Sequence, residues 1–549
     1  MVLCGGNVRD TAIVLTMRHG LWHCDAKRQE DHWRKGMDVR TQMRNAALYN
    51  AAREAVVASE RRLTFAQAWE RGVRLANGLL ALGLEPQDRV GVLEDNTLES
   101  SDFFLGAAIA NLVRVPLYPR NARESHLHML GHTGCGAVVV SEKYADEIEA
   151  VRSELPDLAH VLVRDSGYEA WLAGQSAIDP DPAIDPQDYF IIRHTGGTTG
   201  KSKGVAYTHH AWLAAGRDWF YLYPPVEPGD SCLHLAPISH GSGYLFTPIW
   251  LGGGRNVMVE KFDPASLLDL MQKERTGYMF MVPTILNAIN RIPGIERRKF
   301  PHLKCMLVSA APISDETALK AYEIFGNAMY QGYGQTEVLP VAMMGPRQWF
   351  AKDVPGSQPL RACGMPLPFA ELQTWDENNK PVPPGEPGEI VARTEGQMQG
   401  FWNNPEATAE RIVDGWVKTG DIGRLDANGY LYMLDRADDM VISGGFNIYP
   451  AEIENVIAAH PAVLEVVVFG IPDPRWGETP CAVVCVKPES AVTEKELVEL
   501  CAVHLGNHKR PGRIVIRRDP LPKTPVGKIR RKELREPFWT GHERRVAGN

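Results

Sequence analysis

Ten consecutive residues carry the clearest chemistry in the chain: Thr195-Gly196-Gly197-Thr198-Thr199-Gly200-Lys201-Ser202-Lys203-Gly204. Glycines let a backbone turn tightly and aim its amides at phosphate oxygens, while threonine hydroxyls add donors and lysines add cations. Three threonines and two lysines within ten residues set the segment apart from an ordinary polar surface loop. Gly200-Lys201-Ser202 matches the end of a Walker A loop, G-x-x-x-x-G-K-[ST], but the first glycine would fall at 195, where Thr195 stands. The segment is a phosphate loop of another kind.

Such a loop needs a rigid frame. Ile191 and Ile192 end a strand-like run directly before it. Over 63–435 helix-like and strand-like stretches alternate: a helix over 65–82 closed by Gly83, a strand over 89–93, a helix over 101–112, and strands over 113–118 and 137–140. This alternation predicts an α/β architecture with much parallel sheet. Pro and Gly punctuate 380–389, which reads as a hairpin in a β-rich region. The pattern restarts after 435 as a smaller unit, with helices over 451–459 and 494–505 and strands over 463–470 and 482–486. The expected division is an N-terminal extension over 1–36, in which disorder is anticipated, a large domain over 37–435 and a small domain over 436–549. Met17 opens a second plausible start, so residues 1–16 are read as an extension of uncertain origin.

Further motifs follow in order: Gln331-Gly332-Tyr333-Gly334-Gln335-Thr336-Glu337, Thr419-Gly420-Asp421, Asp435-Arg436-Ala437-Asp438-Asp439, Ser443-Gly444-Gly445-Phe446-Asn447-Ile448-Tyr449-Pro450 and Pro525-Val526-Gly527-Lys528-Ile529. With the phosphate loop, these resemble the six signature segments of the adenylate-forming (AMP-binding) superfamily, in family order over nearly the whole chain. The acyl-CoA synthetase branch fits best. The resemblance implies a large multi-sheet N-terminal domain and a small, mobile α+β C-terminal domain. It also implies ATP, Mg²⁺ and coenzyme A as cofactors and a carboxylic acid as substrate.

A carboxylate becomes a good acyl donor once it attacks the α-phosphate of ATP and expels pyrophosphate. Both reactants are anions, so the site must supply cations and oriented dipoles. By resemblance, Thr195, Gly196, Gly197, Thr198, Thr199, Gly200 and Lys203 hold the phosphates, and Glu337 with Thr198 holds Mg²⁺. Ala310, Ala311 and Pro312 line the adenine, which stacks on Tyr333 of the run Gln331, Gly332, Tyr333, Gly334, Gln335 and Thr336. Asp421 meets the ribose hydroxyls, and Arg436 reaches the ribose or the phosphate. Lys528 bridges carboxylate and α-phosphate during adenylation, and Asp438 is the hinge. Ser443, Gly444, Gly445, Phe446 and Trp476 form the CoA side. His240 faces the acyl and pantetheine tunnels, and the acyl pocket takes His240, Gly241, Ser242, Tyr244, Val338 and Leu339.

Each of these residues also has a plainer reading: a solvated Glu, a turn Asp, a core Tyr, a structural His. Lys528 sits among eleven Lys or Arg over 509–535, a run that by itself suggests a solvated face. The motifs lift it above its neighbours. Four departures from the family pattern stand out: Gly196 for Ser, Ser202 for Pro, Asp435 for Gly and Phe446 for Glu. A ligase weak in adenylation therefore stays open, as does an adenylation enzyme that loads a carrier protein. Residues 239–246, 282–284 and 338–344 are largely apolar and show no charged residue to pair an amino group, so a hydrophobic acid is expected over an amino acid.

Composition agrees with a globular enzyme. The 549 residues hold 59 basic and 67 acidic side chains, a net charge of −8, which argues against a general nucleic-acid binder. No apolar run reaches the roughly 18 residues of a membrane span; the best, 278–289, is interrupted by Pro283. Nine scattered cysteines suit a reducing cytoplasm better than a disulfide scaffold. The oligomeric state is left open.

Overall fold

The computed structural model describes residues 37–119, 121–195, 202–261, 263–311, 313–436, 439–443, 446–506, 509–523 and 529–540. The helix expected over 65–82 spans Phe65–Ala81. Its start is fixed by Thr64, whose hydroxyl accepts from the Gln67 amide while the Gln67 side chain accepts from the Thr64 amide. Two end amides that a helix cannot satisfy internally are thereby paired. The apolar run at 278–289 divides at its proline into a strand, Tyr278–Met281, and a helix, Pro283–Asn290. Proline is tolerated in a first helical turn because its missing N–H has no partner there to lose.

A seven-stranded sheet orders its strands Gly400–Phe401, Lys203–Thr208, Tyr189–Thr195, Val113–Pro116, Arg89–Leu93, Ala137–Ser141 and His160–Arg164. From Tyr189–Thr195 to His160–Arg164 neighbouring strands run parallel. A nine-stranded sheet contains the parallel neighbours Cys305–Val308 and Met329–Gln335, and Val338–Met344 returns antiparallel to the latter. The largest core draws on both sheets and on the helices Phe65–Ala81, Ser100–Ile109, His209–Trp219 and Gly243–Leu251. Every residue of Ser100–Ile109 is buried, so that helix lacks a polar face.

A third, five-stranded sheet is antiparallel and holds Ala370–Trp375, Gly388–Thr394, Trp416–Leu425 and Leu431–Arg436. The expected hairpin over 380–389 falls in the connection between its first two strands. After Arg436 the chain leaves this sheet, and Val441–Ser443 opens a fourth. That sheet holds Phe446–Ile448, Val441–Ser443, Gly477–Val486, Val463–Asp473 and Arg513–Arg517 and has its own apolar core, shared with the helices Pro450–Ala458 and Glu494–Leu505. Among the described residues no helix is long and apolar enough to cross a membrane. The seven described cysteines are all free thiols, six of them buried.

Candidate active site

The phosphate loop joins two strands of an antiparallel hairpin. Thr195, at the end of Tyr189–Thr195, pairs with Lys203, at the start of Lys203–Thr208. Both feet are tied to the helix Arg123–Thr133 and the chain just before it. The Tyr118 hydroxyl donates to the His194 carbonyl at 2.5 Å, and a His128 ring nitrogen lies 2.8 Å from the Ser202 carbonyl. Lys203 keeps its ammonium 5.1 Å from the Phe401 ring centroid. Gly196, Gly197, Thr198, Thr199 and Gly200 lie outside the described residues.

Three further motifs converge across a sheet junction. Ser309, Ala310 and Ala311 follow the strand Cys305–Val308, and the Ser309 hydroxyl donates to the Gly332 carbonyl at 2.7 Å. Ala310 takes a positive φ of 73°, which a side-chain-bearing residue adopts only under local demand. On the neighbouring strand Met329–Gln335, the Tyr333 hydroxyl and the Gln335 amide both donate to one Asp421 oxygen, at 2.7 and 2.6 Å. Burial and the adjoining carboxylate push the Tyr333 phenol up, so it stays protonated and donates. Asp421 belongs to the third sheet, where its backbone is anchored through Thr419: the Asp421 amide donates to the Thr419 hydroxyl, which donates to the Ile390 carbonyl. Gly420 permits this by holding φ at 69°. Arg436 lies opposite Asp421 in the strand register; its side chain lies outside the described residues, as do Pro312 and Asp438.

Thr336 and Glu337 turn the chain between Met329–Gln335 and Val338–Met344. The Thr336 carbonyl accepts from the Tyr207 hydroxyl at 2.8 Å, which ties this turn to the phosphate-loop hairpin. The Glu337 carboxylate is buried, with the Arg411 guanidinium 3.8 Å away. A buried carboxylate on a turn tied to the strand Lys203–Thr208 is a hard oxygen donor of the type that suits Mg²⁺.

The predicted acyl wall is built on the turn over 238–242 and the start of the helix Gly243–Leu251. A Cβ on Gly243 would stand 2.0 Å from the Ile238 carbonyl oxygen, and one on Gly241 would strike the Phe280 ring at 2.7 Å. The Ser242 hydroxyl lies 2.7 Å from a His234 ring nitrogen. The His240 and Tyr118 rings meet edge to face at 5.2 Å, and Tyr244 stacks on Trp212 at 5.3 Å. Leu339 shares the core of Phe280 and Phe246, whereas Val338, one residue earlier on the strand, packs against the third sheet with Leu372 and Ile390.

Sequence reading missed one feature of this wall. The pocket segments carry no charged residue, yet the strand behind them does. The Arg193 guanidinium lies 4.1 Å from the Tyr244 ring centroid and donates to the Ser239 carbonyl at 3.1 Å. The signal was present as a lone arginine in the otherwise apolar run Phe190-Ile191-Ile192-Arg193.

In the fourth sheet Ser443 pairs with Gly477, the residue after Trp476. Trp476 is 46% exposed, with the Arg475 guanidinium 4.5 Å from its ring. The Asp473 carboxylate accepts both the Arg475 and the Trp476 amides, which shapes the turn. Of Phe446 only its place at the head of the strand Phe446–Ile448 is described, and Gly444, Gly445 and Lys528 lie outside the described residues. Lys523 and Ile529, which flank Lys528, form an antiparallel bridge.

The comparisons decide the family. The AMP-binding enzyme model matches residues 43–402, and the model of the AMP-binding enzyme C-terminal domain matches 452–528. The chain belongs to the AMP-binding enzyme family. It is 34% identical over 482 residues to a feruloyl-CoA synthase of an Amycolatopsis species, covering 87% of this chain and 94% of that one. It is 31% identical over 501 residues to the fatty acid–[acyl-carrier-protein] ligase ScoC of Streptomyces coeruleorubidus, covering 90% and 95%. The solved structure of a Mycobacterium tuberculosis fatty acyl CoA synthetase superposes with a TM-score of 0.74 at 29% identity, covering 92% and 99%. As a member of this family the AMP-binding chain is an ATP-dependent, AMP-forming acid–thiol ligase of the acyl-CoA synthetase type.

Proposed function

We propose that this ligase converts a carboxylic acid with a largely apolar body into its CoA thioester, through an acyl-adenylate. The observation that carries the reading is the junction at Asp421. Two donors from one sheet hold a buried carboxylate of another, beside a turn of small residues and one hairpin away from the phosphate loop. Such an arrangement suits a nucleotide: a fixed acceptor for ribose hydroxyls, backbone against which a flat base can lie, and donors for phosphates. Glu337 and Thr198 would hold Mg²⁺, whose contribution is to neutralise charge on the phosphates. Tyr333 and Gln335 orient Asp421, and Lys203 adds a cation at the hairpin foot. Lys528 reaches the reacting carboxylate in the first half-reaction. In the second, rotation about Asp438 brings the segment with Gly444, Gly445 and Phe446, together with Trp476, to the cleft, and the CoA thiol attacks the adenylate.

The similarity to ScoC keeps a second reading in view, transfer to a carrier protein. A pyrophosphate-release screen across carboxylic acids, followed by mass spectrometry of the thioester, tests the first. AMP and an acyl-CoA should form together only when CoA is added. Pyrophosphate release with no acyl-CoA would favour the carrier reading, and no release with any acid would overturn both.

A further inference from the structure

The register of the phosphate-loop hairpin ends at the pair Thr195 and Lys203. A glycine-rich segment loses much conformational freedom when it is fixed around phosphates, and that cost falls if its ends are already set. The end residues themselves set little: glycine at 196 places no steric limit on the backbone, and Ser202 leaves φ free where a proline would fix it. The restraint comes instead from the helix Arg123–Thr133, which reaches both feet.

At the first foot the tie runs through Tyr118. Its hydroxyl donates to the His194 carbonyl at 2.5 Å and takes the Arg193 guanidinium on its oxygen. Burial pushes this phenol up to about 12, so it keeps the proton that it donates. The Tyr118 backbone is held in turn. Its carbonyl lies 2.9 Å from His126 Nε2, and His126 Nδ1 lies 2.6 Å from a Glu147 oxygen on the helix Ala145–Arg152. A ring nitrogen that faces a carbonyl can only donate to it. The His126 side chain is fully buried, and with partners at both nitrogens the ring cannot turn away. At the second foot His128, two residues along the helix, donates through Nε2 to the Ser202 carbonyl at 2.8 Å. Its ring packs against those of His132, one turn on, and His194, with centroids 5.4 and 6.2 Å away. Burial pushes His194 down to about 3, with His132 and His128 adding to the fall, so that neighbour stays neutral.

We propose that His126 and His128 are positioning residues for ATP: leaving one helix on opposite sides, they fix the two feet of the phosphate loop before the nucleotide arrives. His126 acts through Tyr118, and His128 acts directly on the carbonyl of the residue whose φ a proline would have restrained. The proposal rests on the reading of 195–203 as the loop that holds the β- and γ-phosphates. Its benefit therefore belongs to ATP and not to AMP, which has no outer phosphates and whose ribose is assigned to Asp421.

Binding of ATP and of AMP to the full chain, by calorimetry with Mg²⁺ and without acid, tests the clamp. His128→Leu and Tyr118→Phe each remove one hydrogen bond at a foot, so each should weaken ATP by about fivefold or more and leave AMP within about twofold. His128→Gln keeps a donor towards the Ser202 carbonyl and should recover most of the ATP affinity. His126→Leu should weaken ATP as Tyr118→Phe does, and the two together should cost little more than either alone, because they act on one foot. His128→Leu combined with Tyr118→Phe should instead multiply the losses. Unchanged ATP affinity in either His128→Leu or Tyr118→Phe would overturn the proposal. Equal losses for ATP and AMP would overturn it too, since they would show side chains that merely hold the fold. If His126→Leu does not fold, the other three variants decide. A wild-type chain that binds AMP but shows no such pattern sinks the clamp alone; one that binds neither nucleotide sinks the phosphate-loop reading and the clamp with it.

Discussion

At the scale of single residues, Asp421 and Lys528 illustrate opposite demands. Asp421 is fixed before any nucleotide arrives, with two donors on one oxygen and its backbone tied through Thr419. Lys528, in the role proposed for it, would need freedom, because that step brings two anions together and changes the charge on both. Lys528→Ala should therefore cut adenylation by orders of magnitude while leaving thioester formation from synthetic acyl-adenylate largely intact. Single-turnover measurement of each half-reaction checks this; equal loss in both would place the lysine outside adenylation. The family motifs marked Asp421, Tyr333, Gln335 and Glu337 as candidates; taken singly, their residue types suggest only a turn Asp, a core Tyr and a solvated Glu. The tie from His128 to Ser202 was not legible. They lie 74 residues apart in the chain, and only the packing of the helix Arg123–Thr133 on the hairpin brings them together.

At the scale of elements, periodicity found most of the frame. Arg89–Leu93 and Glu494–Leu505 match the sequence reading at both ends, and Phe65–Ala81 differs by one residue. The fully buried Ser100–Ile109 was legible only by its length and apolar content, since a helix enclosed on all sides carries no amphipathic period. Strand order was not legible, because sheet neighbours such as Arg89–Leu93 and Ala137–Ser141 are chosen by packing distant in sequence. The turn that carries His240 depends on Gly243. With a Cβ 2.0 Å from a carbonyl oxygen, Gly243→Ala must displace backbone, so it should lower stability by about 2 kcal/mol or more. It should also reduce activity beyond what the lost stability explains. Denaturant unfolding and steady-state kinetics measure the two separately, and a change below about 0.5 kcal/mol would contradict the close approach.

At the scale of the whole molecule, burial ties stability to pH. Burial pushes His194 down to about 3 and His209 and His234 down to about 4. All three are neutral in the fold, whereas in the unfolded chain they gain a proton below about pH 6.5. Between about pH 6.5 and 4 the unfolded chain therefore binds more protons, and stability falls as pH drops through that window. Their contribution is present in full above it. Melting temperature should fall steadily from pH 7 to pH 5, and His194→Gln should flatten the slope; a level profile in the wild type would count against burial of these rings. The proposed rotation of the C-terminal unit is tested at Asp438. Proline fixes φ, so Asp438→Pro should let adenylate form and accumulate while transfer to CoA slows. Unchanged thioester turnover would move the hinge elsewhere.

The Asp421 junction also bears on local unfolding. Its donors come from the nine-stranded sheet and its acceptor from a separate antiparallel one, so opening either sheet at this point releases the other. A ligand seated there lowers the population of both openings by the same amount, about 2.7 kcal/mol at a hundredfold excess over Kd. Backbone amides over 331–335 and 419–421 should therefore slow in hydrogen exchange together when nucleotide is added, as one cooperative unit. Protection confined to one strand would mean that the two sheets breathe independently, with the carboxylate following only one of them.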